Sequence, residues 1–159
     1  MRKAIIASFS LSLALTLSAC GAGQDAATRM TKQVTDGVES SITVGGNNIK
    51  VSGLLLVAQP DGSVVLVASM VNNGTEDDAL LAVSIAGRNS TLSEKSIPMR
   101  VNAPLNFAGD SANASVVLPD LNAKPGTRVP VYIFFGRAGE MKLDAIVRDK
   151  SGEYAGVGA

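Results

Sequence analysis

The chain has 159 residues, 14 basic and 14 acidic side chains, one cysteine, no histidine and no tryptophan, and its length suits one domain of ordinary size. Without histidine it cannot form a Ser/His/Asp or Cys/His catalytic arrangement or an HExxH zinc site, and a single cysteine cannot form an internal disulfide. The balanced charge argues against binding to a nucleic-acid backbone, which depends on a clustered excess of basic residues.

The first 19 residues have the pattern of a secretory signal peptide. Arg2 and Lys3 form the positive start, and residues 4–17 form an apolar run that is too short for a permanent transmembrane helix. Cleavage after residue 19 would remove two basic and no acidic side chains. The remaining 140 residues would then carry 12 basic and 14 acidic groups, a net charge of −2.

The signal ends in Leu17-Ser18-Ala19-Cys20, which resembles the bacterial lipobox at all four positions. The resemblance implies lipidation of the Cys20 thiol, cleavage before Cys20 and acylation of the new amine, with chains such as palmitate. Each buried methylene contributes about 0.8 kcal/mol, so two or three chains form a stable anchor. We therefore predict a lipid-anchored protein on the outer face of the cytoplasmic membrane. A plain signal peptide with an incidental cysteine is the alternative.

Residues 20–38 are rich in small and polar side chains and have no sustained apolar period. This composition predicts a flexible tether, with a short helix near residues 28–35, that keeps the folded domain within a few nanometres of the lipid surface. No later apolar segment is long enough to span a membrane.

From residue 39 the pattern changes to short strands separated by turn residues, which predicts a β domain over residues 39–150 and a C-terminal tail over residues 151–159. The predicted strands are Ile49–Ala58, Val64–Val71, Ala79–Ala86, Thr91–Leu92, Leu105–Phe107, Ala114–Leu118, Arg128–Phe135 and Glu140–Asp149. Seven or eight short strands with regular turn signals and no long helical period indicate an all-β fold, an antiparallel β-sandwich.

Three of these strands also predict which side chains are buried. In the last strand Met141, Leu143, Ala145 and Val147 share one face, and all residues of the opposite face are charged except Ile146. The preceding strand places Val129, Val131, Ile133 and Phe135 on one face. The nearly continuous apolar run Val64–Val71 indicates a central strand that is covered on both faces.

The arrangement of turns and strand ends provides a family resemblance. Residues 72–80 form an Asn-Gly turn after an apolar strand, and Pro125-Gly126, Phe134-Phe135 and Ala138-Gly139-Glu140 close the domain. This layout resembles the periplasmic copper chaperone (PCu(A)C) family, and is more similar still to actinobacterial lipoproteins of the LpqE type, over about Ile49 to Val147. The resemblance implies an Ig/cupredoxin-like sandwich and, for the chaperones, donation of Cu(I) to the oxidase copper centre.

The metal ligands of that family are not matched here. The copper chaperones use a His and a Met after the Asn-Gly turn and a His-x-Met pair ahead of the Pro-Gly turn. Residues 81–100 contain no histidine and only Met99, and residues 113–119 contain neither residue type. We therefore assign no metal ligand by resemblance and predict no cofactor, because Cu(I) sites need soft thioether and imidazole ligands.

Methionines alone could still form a Cu(I) site. Met70 and Met141 lie in apolar positions that predict core packing, and Met30 lies in the tether. Met99, between Pro98 and Arg100, is the one exposed candidate that the sequence offers for such a site.

Other candidate sites have simpler interpretations. Glu76, Asp77 and Asp78 could hold Ca²⁺ through hard oxygen ligands, but their spacing does not match an EF-hand loop, so a solvated turn is preferred. The segment Ser93-Glu94-Lys95-Ser96 lacks the S-x-x-K spacing of Ser–Lys hydrolases, and no G-x-S-x-G motif is present. The sequence therefore predicts a protein that is not an enzyme.

Two functions remain from the sequence. The preferred one is a non-catalytic binding or accessory lipoprotein of the cell envelope, with an envelope protein of unknown identity as partner and no nucleic acid. The alternative is a divergent copper-handling protein with other ligands. A third interpretation, a sandwich that binds a lipid or other hydrophobic small molecule, fits the aliphatic composition but has no motif.

Overall fold

Strands dominate the computed structural model, which describes residues 36–158. The predicted signal peptide, the lipobox Leu17–Cys20, Met30 and the short helix of the tether lie outside the described residues. In chain order the strands are β1 (Val38–Val44), β2 (Asn47–Ala58), β3 (Val64–Asn72), β4 (Asp78–Ile85), β5 (Arg88–Asn89), β6 (Thr91–Leu92), β7 (Ile97–Met99), β8 (Pro104–Asn106), β9 (Val116–Leu118), β10 (Arg128–Phe135) and β11 (Glu140–Asp149).

The strands form two layers, and the predicted β-sandwich is confirmed. The first sheet contains β1, β2, β3, β6, β8 and β9, and the second contains β4, β5, β7, β10 and β11. Neighbouring strands within each layer are antiparallel. The end of β11 pairs with the end of β2 in parallel, from Val147↔Leu56 to Asp149↔Ala58, and this pairing joins the two layers into a nearly continuous sheet.

The strand boundaries agree with the sequence where the apolar alternation is clear. Strands β10 and β11 begin and end at the predicted residues. Three strands were not predicted: β1, which contains two serines, β5, which has two residues, and β7, which contains Pro98. Pro98 is tolerated because β7 pairs with one of the described strands, β4, and proline occurs in sheets mainly on edge strands.

The main core lies between the layers and is built from aliphatic side chains. The four predicted inward side chains of β10 and the four of β11 are all buried in it. On β2 and β3 the inward residues alternate in the same way, and Leu56 lies opposite Leu66 in the register. The alternation visible in the sequence therefore reports the inner faces of both sheets.

A second, smaller apolar cluster lies on part of the outer face of the first sheet. Leu55, Val57 and Val65 are buried there together with Val157, and Ile146 packs against them. The covering segment, residues 151–158, is called the C-terminal strap below, and it contains a 3₁₀ turn at Gly152–Tyr154. The predicted two-sided burial of β3 is thus confirmed for its first half, and Ile146 lies on the charged face of β11 because the strap covers it.

Candidate functional site

The two segments that carry copper ligands in the family resembled by the sequence lie side by side in this fold. Strand β6 pairs with β9 through Thr91↔Val117 and Leu92↔Val116. Beyond the strands, the Ser93 amide donates to the Ser115 carbonyl at 2.9 Å, and the Ser115 amide donates to Ser93 Oγ at 3.2 Å. The side chains at this edge are hydroxyl and aliphatic groups, which are not the soft ligands that hold Cu(I).

The methionine sulfurs of the described residues lie in the core. Met99 is 1% exposed, so the prediction that it is an exposed candidate ligand is wrong. Strand β7 places Met99 opposite Asp78, with its side chain among the apolar groups between the sheets. Met70 and Met141 are also buried in this core, as predicted.

The acidic run is part of a structural network and not a solvated turn throughout. Asp78 is 8% exposed, and its carboxylate accepts from three backbone amides: those of Ala79 at 2.7 Å, Arg137 at 2.8 Å and Ala138 at 2.9 Å. The prediction of a solvated turn is therefore wrong for Asp78, which fixes the β10–β11 turn against the start of β4.

The other two carboxylates of the run are exposed and also have partners. Glu76 pairs with the Arg137 guanidinium, and Asp77 accepts from the Val101 amide at 2.9 Å. Across residues 36–158, no group of three or more His, Cys, Asp or Glu side chains could hold a metal ion. The geometry therefore gives no support to the calcium alternative.

Asn72 organises the same end of the sandwich from the inside. It is 1% exposed, and its side-chain amide donates to the Glu76 carbonyl at 2.8 Å and the Met99 carbonyl at 3.2 Å. Its Oδ1 accepts from the Gly74 amide at 2.9 Å. The strand alternation could have located this residue. Asn72 is separated from the buried Leu66 and Met70 of β3 by an even number of residues along the strand, so it points inward with them.

The opposite end of the sandwich has two open depressions on either side of the turn Gln59–Ser63. One, of about 430 Å³, is bordered by Ala58, Gln59, Pro60, Asp61, Gly62, Ser63, Asn122, Ala123 and Pro125. The other, of about 440 Å³, is bordered by Gln59, Pro60, Asp61, Ser63, Val65, Val117, Lys150 and Gly158. Both depressions are open to solvent in the described part of the chain.

The carboxylate shared by the two depressions has a structural partner. Asp61 Oδ1 accepts from the Ser63 hydroxyl at 2.7 Å and the Ser63 amide at 2.9 Å, and these hydrogen bonds hold the pKa of Asp61 below its ordinary value. An ionised carboxylate with a lowered pKa is a poor general acid or base near neutral pH. These hydrogen bonds hold the Asp61 carboxylate against Ser63 at the border of both depressions.

A loop in left-handed backbone conformation borders the first depression. Asp120 and Asn122 have φ values of 53° and 52°, and the Asn122 amide donates to the Gly62 carbonyl at 2.9 Å. The Arg88 guanidinium donates to the carbonyls of Asp120 at 3.1 Å and Pro119 at 3.0 Å. These contacts join β5 of the second sheet to the loop that follows β9 of the first sheet.

Asp36, at the start of the described residues, lies between two side chains of the C-terminal part. Arg148 Nη2 donates to Asp36 Oδ1 at 2.7 Å, and the Tyr154 hydroxyl donates to Asp36 Oδ2 at 3.3 Å. Burial, together with the Glu153 and Asp36 carboxylates, raises the pKa of Tyr154 to about 12. The protonated phenol therefore contributes to stability below its ordinary pKa of 10.0, and this contribution is lost as the pH rises to about 12.

Replacing Tyr154 with Phe is expected to remove the phenolate absorbance step near pH 12. The chain has two tyrosines and no tryptophan, so an ultraviolet titration can resolve this step. Tyr132→Phe is the matched control and should retain it. A high-pH step that persists unchanged in Tyr154→Phe would contradict the assignment.

In residues 36–158 we find no helix with the length and apolar character needed to cross a membrane.

No protein-family model and no curated protein matches the sequence.

Solved structures with the same fold were found. The chain is similar to the copper-bound PCuAC domain from PmoF2, with 24% identity and a TM-score of 0.57 over 69% of this chain and 98% of that chain. It is similar to the apo PCuAC domain from PmoF1, with 24% identity and a TM-score of 0.57 over 69% and 99% of the two chains. For the apo PmoF2 PCuAC domain the identity is 21% and the TM-score 0.54, over 71% and 98%. The described residues thus have the fold of PCuAC domains.

Proposed function

We propose that the protein is a lipid-anchored, non-catalytic binding module of the cell envelope, built on a PCuAC-like fold. In this proposal a lipid on Cys20 holds the domain at the outer face of the cytoplasmic membrane. The domain acts by contacting an envelope protein and not by carrying copper. Relation to the LpqE-type lipoproteins belongs to the same proposal and is supported by the lipobox together with the turn pattern of the β domain.

The observation that carries this proposal is the composition of the β6–β9 edge. The fold is similar to that of a copper-bound domain, yet the two segments in which the sequence resemblance would place ligands meet here through Thr91, Ser93, Ser115 and Val117. Hydroxyl and aliphatic groups cannot replace the soft donors of a Cu(I) site. A scaffold that keeps the sandwich without these donors is suited to recognising a surface.

Replacing Cys20 with Ala tests the anchor. Because the acyl chains would contribute most of the membrane affinity, we expect the variant to leave the membrane fraction or to remain as an unprocessed precursor. Membrane fractionation followed by intact-mass measurement reports both outcomes. Ser18→Ala is a matched control that leaves the cysteine in place. Unchanged membrane retention and unchanged mass in Cys20→Ala would refute the lipid anchor.

Copper handling is the second candidate, and the similarity to a copper-bound PCuAC domain favours it. We expect that the detergent-solubilised protein, titrated into a Cu(I) complex of a chromogenic chelator, will not remove the copper from the chelator. Met99→Leu is the informative variant, because it removes the thioether and nearly preserves the volume of a buried side chain. Competition by the wild type that disappears in Met99→Leu would favour copper handling over the preferred proposal.

A further inference from the structure

The outer face of the first sheet carries an apolar patch that the chain covers with its own C-terminal strap. Leu55 and Val57 of β2 and Val65 of β3 form its centre, and Val67, Val117 and Ile146 lie at its margin. Uncovered, these side chains would form a contiguous apolar surface of the kind that marks a protein-binding site. The strap is therefore the feature that decides whether this face is accessible.

The strap contacts the apolar patch through closely packed side-chain and backbone atoms. Val157, which is 9% exposed, packs among Leu55, Val57 and Val65. Gly158 has φ +72°, and a Cβ on it would lie 2.9 Å from Val65 Cγ2 and 3.3 Å from Gln59 Nε2. Both observations show that the strap packs closely on this apolar patch, through one β-branched side chain and a glycine backbone. The patch of Leu55, Val57 and Val65 with its margin is called the seat below.

Few polar contacts fasten the strap. Its backbone hydrogen bonds run from Ser151 to Asp149, from Tyr154 to Ser151, from Ala155 to Gly152 and from Val157 to Tyr154, so they are local. In the described range, no backbone hydrogen bond joins the strap to β2 or β3, and its side-chain tie across the domain is the 3.3 Å contact from Tyr154 to Asp36. A segment held in this way opens at low free energy compared with the strands beneath it.

The seat does not end at the strap. The depression of about 440 Å³ borders Gly158 and continues along Val65 and Val117 to Lys150 and Gln59. Beyond the apolar residues, a segment longer than the strap would lie against the cationic Lys150, the Gln59 amide and the Asp61 carboxylate. The seat and this depression form one continuous surface.

We propose that the strap is an exchangeable cover, and that the seat beneath it binds a glycine-rich apolar segment of a protein partner. The occupant follows from the segment that occupies the seat now: a β-branched side chain at the Val157 position followed by a residue without a side chain. This inference rests on the proposed binding function and names its site and the chemistry of its partner. The Cys20 and Cu(I) experiments do not involve the strap, so failure here is distinguishable from failure there.

The test uses the full chain and a fluorescent synthetic peptide with the sequence of residues 151–159. Val157→Asp should release the strap, because a carboxylate in this apolar seat is unfavourable. We expect the peptide to bind this variant at least about ten-fold more tightly than it binds the wild type, whose seat is occupied. Val44→Asp is the matched control, since Val44 is 62% exposed on β1 and its replacement should leave peptide binding at the wild-type level.

Three outcomes would overturn the proposal. One is a folded Val157→Asp variant, shown by cooperative unfolding, that binds the peptide no better than the wild type. Another is equal binding of a peptide that itself carries Val157→Asp. The third outcome concerns the wild type and applies even if Val157→Asp does not fold. Its strap amides should exchange hydrogen at least about ten-fold faster than the amides of β2 and β3. Equal protection of the strap and these strands would exclude an exchangeable cover.

Discussion

Replacing Asp78 with Ala is expected to lower the free energy of unfolding by about 2–4 kcal/mol. The Asp78 carboxylate is buried and accepts the backbone amides of Ala79, Arg137 and Ala138. Alanine removes the acceptor and leaves these donors without their partner, and the amide of Ala138 lies in a buried position. The cost is large because an unsatisfied buried group loses its hydration as well as its hydrogen bond.

Urea unfolding followed by far-ultraviolet circular dichroism measures this loss. Asp77→Ala is the matched control, because the neighbouring Asp77 carboxylate is exposed and accepts a single amide hydrogen bond, from Val101. We expect it to cost less than about 1 kcal/mol, as is usual for exposed groups. Equal losses in the two variants would show that Asp78 does not hold the β10–β11 turn.

Replacing Asn72 with Ala is expected to cost about 2–3 kcal/mol and to loosen the segments around β7. The side-chain amide of Asn72 links the carbonyls of Glu76 and Met99, and its Oδ1 holds the Gly74 amide. The Met99 carbonyl is the most consequential of these, since Met99 lies in the core and its strand pairs, among the described strands, with β4 alone.

The control for Asn72 is the next residue. Asn73 is exposed, and its backbone amide donates to the Asn48 carbonyl at 2.7 Å, a contact that Asn73→Ala preserves. Equilibrium unfolding should show a small change for Asn73→Ala, and hydrogen exchange should show faster exchange around Ile97–Met99 only in Asn72→Ala. Wild-type exchange rates in that strand of the Asn72 variant would contradict the assigned role.

The strand pattern of the sequence predicted much of this fold because alternation is a local property. In β10 and β11 an apolar residue stands at every second position of the inner face, so both the strand ends and this face followed from the sequence. The alternation also applies to two polar residues. Asn72 lies two residues after the buried Met70 of β3, and Asp78 lies two residues before the buried Leu80 of β4, and both are buried. The turn residues correctly indicated where the chain reverses. Because Asn and Asp are common in exposed turns, they did not indicate that these two polar side chains are buried.

The candidate site was less accessible from the sequence. Met99 is flanked by Pro98 and Arg100, both exposed, and local sequence therefore favoured an exposed sulfur. Its burial follows from the pairing of β7 with β4, two strands that β5 and β6 separate along the chain. The meeting of β6 with β9 likewise joins segments that are more than twenty residues apart, such as Ser93 and Ser115.

The sequence by itself established the absence of histidine, the position of the single cysteine after Leu17-Ser18-Ala19, and the inner faces of the long strands. Each of these depends on composition or on neighbouring residues. Only the tertiary structure decided that Met99 is buried, that Asp78 holds a turn about sixty residues away, and that the strap covers an apolar patch on the outer face of the first sheet. The physical reason is that these contacts join distant parts of the chain, and their partners are selected by the packing of the two sheets.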